Sequence, residues 1–324
     1  MTLCIGIIGT GSFSRLHAKL LSNMKEVQVQ SICGTSREKA EDMASHYEGA
    51  KGYNHLVEML DSEKLDAVYV CVPPMAHGEI ELELIGRSIP FFIEKPLGVD
   101  QQTADTIFNE LDKTNLITSV GYHFRYKDSV QKLKEYLEDT SIGLITGQWM
   151  GGMPEVSWWR KQEGSGGQFN EQTTHIVDLL RYVSGEVKEI YACYGNTINH
   201  QKYEGVTVPD VGSVIIKLKN GAIANISNTC ILPSSVGEIG MTFYTDKGII
   251  KWDPDSFNII EARSKEEKRD GIEDPYLMES EAFIYAVRTG DTTRIHSTYQ
   301  DAYETHKITC SALESSLQGI PLKI

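Results

Sequence analysis

The sequence predicts an α/β N-terminal domain on a doubly wound parallel sheet, followed by an α+β C-terminal domain with a mostly antiparallel open sheet. Three observations predict this architecture. The length of 324 residues favours two domains over one. Strand-like and helix-like segments alternate up to Gly121, whereas long strand-like stretches dominate after it. We therefore expect one domain at residues 1–121 and a second at residues 122–324.

The N-terminal segments predict the parallel sheet. Its strands are short and almost wholly apolar, as expected when helices cover both faces of a sheet. The expected strands are Leu3–Ile8, Val27–Cys33, Leu65–Val72, Pro90–Ile93 and Leu116–Val120. The expected helices between them are Ser12–Met24, Arg37–Tyr47, Met75–Gly86 and Asp100–Lys113. Repeated β-α-β units of this kind form a parallel sheet with right-handed crossovers.

The C-terminal segments predict a different sheet. Its expected strands are Gly143–Met150, Val187–Thr197, Val211–Lys219, Ala222–Leu232 and Glu238–Thr245. Asn220-Gly221 lies between two alternating runs, which is a strong hairpin signal. The expected helices are Tyr126–Leu137, Pro275–Thr289 and Tyr299–Leu317, and the glycine- and tryptophan-rich stretch Gly151–Gly167 is expected to be loose. These patterns indicate a mostly antiparallel sheet.

Composition excludes several classes of partner. The net charge of -14, from 31 basic and 45 acidic residues, repels phosphate backbones and anionic lipid, so we expect neither nucleic acid nor membrane as partner. No apolar run approaches the roughly 18 residues of a membrane span, and the N-terminus lacks the pattern of a signal peptide. The six cysteines stand singly, which indicates a reduced, cytoplasmic protein and predicts no metal site.

A glycine-rich turn stands between the first predicted strand and the first predicted helix. In Gly9-x-Gly11-x-x-Ser14, Gly9 permits the tight turn, Gly11 lets a pyrophosphate approach, and Ser14 lets the helix pack on the strand. Backbone N–H groups and the helix dipole then face the phosphates. The pattern predicts a Rossmann domain that binds a dinucleotide through Gly9, Thr10, Gly11, Ser12, Phe13 and Ser14.

The end of the second predicted strand bears on the choice of cofactor. An acid that binds the ribose 2′-OH usually stands about 20 residues beyond the turn. Here that place holds Gly34, Thr35, Ser36 and Arg37, with no carboxylate to repel a 2′-phosphate. Hydroxyls and a guanidinium can hold such a phosphate, so the sequence favours NADP over NAD. The alternative is a helix cap at Ser36 followed by a solvated Arg37.

Two further groups of residues are candidates for catalysis. Lys95 follows the strand that ends at Ile93, so it lies where ligands of open α/β sheets bind, and it can stabilise an ionised substrate hydroxyl. The alternative is a surface ion pair with Glu94. If residues 166–178 are helical, Glu171 and His175 lie four residues apart on one face. A carboxylate there would fix the histidine tautomer and raise its proton affinity.

The motifs together resemble the glucose–fructose oxidoreductase / inositol dehydrogenase (Gfo/Idh/MocA) family over nearly the whole chain. They are, in order, the turn at Gly9 with His17, the run Asp66–Pro74 with His77, Glu94-Lys95-Pro96, the run Gly121–Tyr126, Gly166-Gly167 with Thr174, His175 and Asp178, and Asp301 with Ala312 and Ser315. Glu-Lys-Pro is the most specific of these short motifs.

The resemblance implies the roles of several residues. Lys95 and His175 would be the catalytic pair, and Glu171 stands where many members carry Asp. Residues implied to lie near the cofactor are Val72, Pro73, Pro74, His77, Glu94 and Lys95. Residues expected at the substrate are Tyr122, Arg125, Trp159, Arg160 and Gln172. A structural ion pair for Arg125, and core or oligomer packing for Trp159, remain open alternatives.

The implied reaction is the reversible oxidation of a secondary alcohol on a sugar, cyclitol or related polyol by NADP or NAD. His175 would take the hydroxyl proton, Lys95 would stabilise the alkoxide, and Glu171 would orient His175. The alternatives are an NAD-dependent glycosidase of the same family and a non-catalytic dinucleotide sensor. The resemblance also implies that the C-terminal sheet forms the substrate cleft and an oligomer face, so we expect a homodimer or homotetramer.

Overall fold

The computed structural model describes residues 2–262, 264–269 and 271–324, which form two compact units. Unit 1 consists of Met1–Gly98, Gln102–His123 and Asp274–Ala302, and unit 2 of Val99–Gln101, Phe124–Glu273 and Tyr303–Ile324. This division differs from a single boundary after Gly121, because the chain returns to unit 1 late in its course. The returning segment places Phe283 and Ile284 in the same apolar core as the N-terminal strands.

Unit 1 is built on a parallel sheet that has six strands among the described residues, in the order β3-β2-β1-β4-β5-β6. With strands and helices numbered along the whole chain, these are β1 Leu3–Ile8, β2 Val27–Cys33, β3 Lys51–Tyr53, β4 Ala67–Val70, β5 Phe91–Ile93 and β6 Thr118–Val120. The predicted doubly wound parallel sheet is confirmed. The prediction missed β3, a short strand at the sheet edge whose sequence Lys-Gly-Tyr has no alternating pattern.

Each predicted helix of unit 1 is found, three of them end two or three residues early, and the helix Leu56–Ser62 was not predicted. The helices of unit 1 are α1 Ser12–Ser22, α2 Arg37–Ala44, α3 Leu56–Ser62, α4 Glu79–Gly86, α5 Gln101–Leu111 and α11 Pro275–Thr289. The helix predicted from Met75 instead divides into a 3-10 turn at Pro74–Ala76 and α4. Gly78 separates the two with a φ of 125°, a conformation that only glycine adopts readily.

Unit 2 contains a sheet with nine strands among the described residues, in the order β14-β13-β12-β11-β7-β10-β9-β8-β15. The strands are β7 Ile142–Met150, β8 Val187–Gly195, β9 Val211–Leu218, β10 Ile223–Thr229, β11 Glu238–Thr245, β12 Gly248–Asp253, β13 Ser256–Glu261, β14 Ser264–Arg269 and β15 Leu322–Lys323. β7 and β10 pair in parallel, whereas the other neighbours are antiparallel, so the predicted sheet type is confirmed. The β9–β10 hairpin turns at Asn220-Gly221, as predicted.

The remaining helices cover one face of this sheet or connect its strands. They are α6 Asp128–Glu138, α7 Gln162–Ser165, α8 Gln168–Glu171, α9 Thr174–Ser184, α10 Asn199–Lys202 and α12 Tyr299–Gln318. The apolar residues of α9, including Ile176 and Leu180, pack with inward-facing strand residues such as Ile226 in one core. This burial fixes α9, and with it His175, against the sheet.

Candidate active site

The glycine-rich turn of unit 1 has the geometry that a pyrophosphate requires. Gly9 has a φ of 111°, and a Cβ there would lie 2.2 Å from the carbonyl oxygen of Cys71. At Gly11 a Cβ would meet nothing within 4 Å, so the backbone faces open space. Gly11 also has no side chain to cap α1, and the first N–H groups of that helix are left for an anion. The turn therefore fits a dinucleotide.

Ser14 stands where the third glycine of the usual pattern would be. It is fully buried, and its hydroxyl donates a hydrogen bond to the carbonyl oxygen of Cys71 at 3.2 Å. The bond ties the start of α1 to the end of β4. The small side chain thus allows the close packing of helix on strand that the sequence pattern predicts.

The segment after β2 shows the helix cap of the alternative interpretation, and the preference for NADP stays a prediction. The Ser36 hydroxyl accepts a hydrogen bond from the backbone N–H of Lys39 and caps α2. Arg37 is half-exposed, but its guanidinium donates to Glu58 at 3.1 Å. Gly34 is required because a Cβ would lie 2.8 Å from Cγ2 of Thr10 in the glycine-rich turn. The carboxylate of Glu58 on α3 thus lies beside Arg37, although the segment at the end of β2 carries no carboxylate of its own.

The turn after β4 presents a buried histidine. His77 Nδ1 lies 2.7 Å from Oε1 of Glu81, and the other oxygen of Glu81 accepts a hydrogen bond from the backbone N–H of Gly78. Nε2 of His77 is buried and has no hydrogen-bond partner in the part of the chain that the structure describes. The carboxylate orients the ring, so Nε2 is an atom that a bound cofactor can satisfy. The sequence predicts a role for His77, and the four-residue spacing to Glu81 could have indicated its partner.

Glu94 and Lys95 follow β5 at the carboxyl edge of the sheet. Glu94 is buried, and its Oε1 lies 2.8 Å from Nε2 of His17. A Cβ at Gly121 would lie 2.9 Å from Oε2 of Glu94, so this glycine makes room for the carboxylate. The alternative of a surface ion pair between Glu94 and Lys95 is therefore wrong in one respect: the carboxylate is an interior group.

Glu279 joins His17 and Glu94 in a buried cluster that sequence analysis missed. Each of the three residues has one nitrogen or oxygen atom within 4.8 Å of such atoms of the other two. This spacing is compatible with the binding of a cation. However, His17 and Glu94 already bond to each other. Both oxygens of Glu279 are buried without a hydrogen-bond partner among the described residues. Burial, and after it the charges of Glu94 and Asp274, raise the pKa of Glu279 well above its ordinary value.

His175 lies in unit 2, near the beginning of α9. It is buried between aromatic rings, with its ring centroid 5.7 Å from that of Trp149, in a stacked arrangement, and 5.2 Å from that of Phe124. These rings restrict the orientation of the imidazole. Trp149 was missed from the sequence, and Phe124 was quoted only as part of the run Gly121–Tyr126, because β7 and the 3-10 turn before α6 are distant in sequence from His175.

Glu171 and His175 do not share one continuous helix. The helix α8 ends at Glu171 and α9 begins at Thr174, with a change of hydrogen bonding between them. The N–H of Thr173 bonds to the carbonyl of Gln168, five residues back, whereas the N–H of His175 bonds only three residues back to Gln172. The expectation of a shared helix face is therefore wrong. Oε2 of Glu171 accepts a hydrogen bond from the indole N–H of Trp159 at 2.7 Å.

The residues expected at the substrate are mostly interior. Arg125 donates two hydrogen bonds of 2.7 Å to Asp178, so the alternative of a structural ion pair is what the structure shows. Trp159 and Tyr122 are each 1% exposed, which favours packing for the tryptophan. Arg160 lies over the ring of Tyr203, at 4.5 Å from its centroid. Gln172 accepts a hydrogen bond from Gln168 and is partly exposed.

Two family models match the chain and together cover more than half of it. Residues 3–122 match an oxidoreductase family model with an NAD-binding Rossmann fold, and residues 130–251 match the C-terminal domain model of the same family. The chain belongs to the GFO/IDH/MocA family. This agrees with the fold and with the geometry of the glycine-rich turn.

Two curated relatives of similar sequence are named as dehydrogenases. A myo-inositol 2-dehydrogenase from Thermotoga maritima is 28% identical over 231 residues, which is 69% of this chain and 68% of the relative. A glucose-6-phosphate 3-dehydrogenase from Bacillus subtilis is 24% identical over 246 residues, which is 72% of this chain and 69% of the relative. Both names describe the oxidation of a hydroxyl group on a cyclitol or sugar.

Solved structures share the fold along the full length. A levoglucosan dehydrogenase in complex with NADH and levoglucosan superposes with a TM-score of 0.90 at 18% identity and covers 100% of this chain and 99% of its own. At that identity the likeness shows the fold alone.

None of the helices in the described part of the chain combines the length and apolar character that a bilayer crossing requires.

Proposed function

We propose that this protein is an NAD(P)-dependent dehydrogenase that oxidises a secondary alcohol of a sugar, cyclitol or related polyol, or reduces the corresponding ketone. The observation that carries the proposal is the open backbone at Gly11, at the uncapped start of α1, in a chain of an oxidoreductase family. Two relatives are named for the oxidation of myo-inositol and of glucose 6-phosphate, and these names support the proposed substrate class.

The chemistry divides between cofactor and protein. When bound, the nicotinamide accepts or donates the hydride. In this proposal His175 holds the hydroxyl proton, and its confinement between Trp149 and Phe124 supports the role because it fixes the ring. Lys95, at the carboxyl end of β5, stabilises the developing alkoxide. Glu171 orients His175 from the end of α8, and the hydrogen bond from Trp159 holds its carboxylate in place.

Single substitutions test the two catalytic roles. We expect His175→Ala and Lys95→Ala each to lower kcat by about 10²- to 10⁴-fold, since proton transfer and alkoxide stabilisation are lost. A panel of sugars and polyols with NAD and NADP, followed by nicotinamide absorbance, first identifies a substrate. Calorimetry should show that His175→Ala binds the cofactor as the wild type does, because His175 is not among the residues expected to bind the cofactor.

Other outcomes of the same panel would favour the alternatives. Wild-type rates in both variants would refute the assigned roles. Release of free sugar from a glycoside without net reduction of the cofactor would instead identify a glycosidase. Binding of the dinucleotide with no turnover on any substrate would favour a sensor.

We propose that the protein accepts NADP in preference to NAD. The absence of an acid among Gly34, Thr35, Ser36 and Arg37 supports this preference, because no carboxylate of that segment repels a 2′-phosphate. Replacing Arg37 by Asp should weaken NADP binding and favour NAD. Equal ratios of the two dissociation constants in Arg37→Asp and wild type would refute the proposed contact.

A further inference from the structure

The guanidinium of Arg37 is held by acidic side chains from two helices. One amino group lies 3.1 Å from Oε1 of Glu58 on α3, and Nε lies 4.0 Å from Oε1 of Glu41 on α2. All three side chains are half-exposed, with 51%, 45% and 60% of their surfaces accessible for Arg37, Glu58 and Glu41. The arginine is therefore accessible to a ligand, but its charge is already compensated.

The position of Glu58 relates it to the end of β2. Gly34 at this end donates its N–H to the carbonyl of Tyr53, the last residue of β3, and α3 begins three residues later. The negative charge of Glu58 also acts on the thiol of Cys33, the last residue of β2. Burial, and after it Glu58, raise the pKa of the Cys33 thiol to about 11. A carboxylate from α3 thus acts where β2 itself supplies none.

A second cation near this segment, Lys51, is compensated in the same way. Arg37, Glu41 and Lys51 line one open groove next to α2, and Nζ of Lys51 lies 2.9 Å from Oε1 of Glu63. An incoming 2′-phosphate would meet two cations that are each paired with a carboxylate. It would have to share Arg37 with Glu58 and lie close to the charges of Glu58 and Glu41.

We propose that Glu58 is a specificity-determining residue, which limits binding of the 2′-phosphate by holding Arg37. This inference deepens the proposed function and rests on it, because it assumes that the glycine-rich turn binds a nicotinamide dinucleotide. NAD, which carries a hydroxyl at this position, does not need Arg37 and is not repelled by the carboxylates. Without Glu58, the segment Gly34–Arg37 would favour NADP more strongly. Glu58 therefore lowers the preference of the wild type for NADP over NAD.

Calorimetric dissociation constants for NADP, NAD and adenosine 2′,5′-bisphosphate test the proposal without turnover. We expect Glu58→Gln to tighten binding of NADP and of the bisphosphate by about 2- to 10-fold and to leave NAD within about 2-fold, as for a half-exposed charge pair. Glu58→Lys should tighten both further. The gain should shrink at high salt, because the groups are accessible to solvent.

Two controls make the test specific. Glu83→Gln removes the same charge from α4, where Glu83 pairs with Arg87, and should leave all three constants unchanged. In an Arg37→Ala background, Glu58→Gln should lose most of its effect, because the two residues act through each other.

The possible outcomes are distinguishable. If Glu58→Gln changes NADP binding no more than Glu83→Gln does, or equally with and without Arg37, the inference is wrong while the proposed function stands. If NADP tightens through Arg37 but the wild type still prefers NAD, the inference holds and the proposed NADP preference is wrong. If the wild type binds neither dinucleotide, both are wrong.

Discussion

Arg125 and Asp178 form a buried ion pair whose two hydrogen bonds are each 2.7 Å long. Only 3% and 2% of their side-chain surfaces are exposed, so removal of one partner leaves an uncompensated interior charge. We therefore expect Asp178→Asn or Arg125→Ala to lower the free energy of unfolding by about 3–5 kcal/mol. Urea denaturation of both variants measures this change.

A matched double variant separates stability from substrate contact. Replacing Arg125 by Met and Asp178 by Leu removes both charges and should recover most of the lost stability. If Arg125→Ala folds with wild-type stability and only KM rises, Arg125 contacts the substrate, and the structural role is wrong.

We expect Glu279 to make the stability of unit 1 depend on pH. Its pKa is raised by burial first and by Glu94 second, so the folded protein holds a proton that the unfolded chain releases at lower pH. Between the ordinary carboxyl pKa and the raised one, the folded state therefore binds more protons. The free energy of unfolding contributed by Glu279 is complete at low pH and is lost as the pH rises through this window.

Replacement of Glu279 by Gln removes this titration. We expect the free energy of unfolding of Glu279→Gln to decline less than that of the wild type as the pH rises from the ordinary carboxyl range to neutrality. Glu281→Gln, on the exposed side of the same helix, is the control and should follow the wild-type profile. Parallel profiles for all three proteins would mean that Glu279 is ionised with a compensating partner.

At the scale of elements, the interruption between α8 and α9 determines how Glu171 can act on His175. Glu171 ends α8, and its carboxylate is tied to Trp159, so its charge remains near the start of α9. If it balances His175 as proposed, Glu171→Gln should lower the pKa of the base seen in the pH profile of kcat/KM, because a nearby carboxylate favours the protonated imidazole.

The control for this prediction is Glu163→Gln on the neighbouring helix α7. It removes an acidic charge nearby and should leave the profile where the wild type has it. A Glu171→Gln profile that coincides with the wild-type profile, with a lower kcat, would show that Glu171 acts only by packing the loop of Trp159.

The elements that sequence predicts well are those whose signal is local. The strand β2 is predicted at its observed bounds. Val27 and Val29 alternate with more exposed residues, and the residues from Ser31 to Cys33 are all buried. The turn at Gly9 is predicted because strand, glycines and helix are contiguous. The strand β3 and the interruption after Glu171 were missed, since neither leaves a periodic pattern. Glu279 was missed because its partners His17 and Glu94 are distant in sequence.

At the scale of the whole molecule, the outer face of the nine-stranded sheet bears on assembly. Large apolar residues are exposed on it: Leu144, Tyr191, Ile215, Ile223 and Tyr244. Several are direct neighbours across strands, as Leu144 is to Ile223 and to Tyr244. We propose that this face joins copies of the chain into a homodimer or homotetramer, because a monomer seldom exposes several large apolar residues on one face of a sheet.

Substitution of this face tests the assembly. The double variant Leu144→Asp with Ile215→Asp should dissociate the oligomer, since it introduces charge where about 1,000 Å² or more would be buried. Light scattering coupled to size exclusion gives the mass. Leu317→Asp, at an exposed apolar residue of α12, is the control and should keep the wild-type mass. A monomeric wild type would refute the proposal.

The late return of the chain to unit 1 has a consequence for biosynthesis. Residues 274–302 supply Phe283 and Ile284 to the core around β1 and β2 and place Glu279 beside His17. On a ribosome, that core remains incomplete until most of unit 2 has been made, although domains usually fold in the order of their synthesis. The core of unit 1 is therefore completed only after α11 has been synthesised. We therefore expect newly made chains to expose the apolar surface that Phe283 and Ile284 later cover until residues 274–302 have been made.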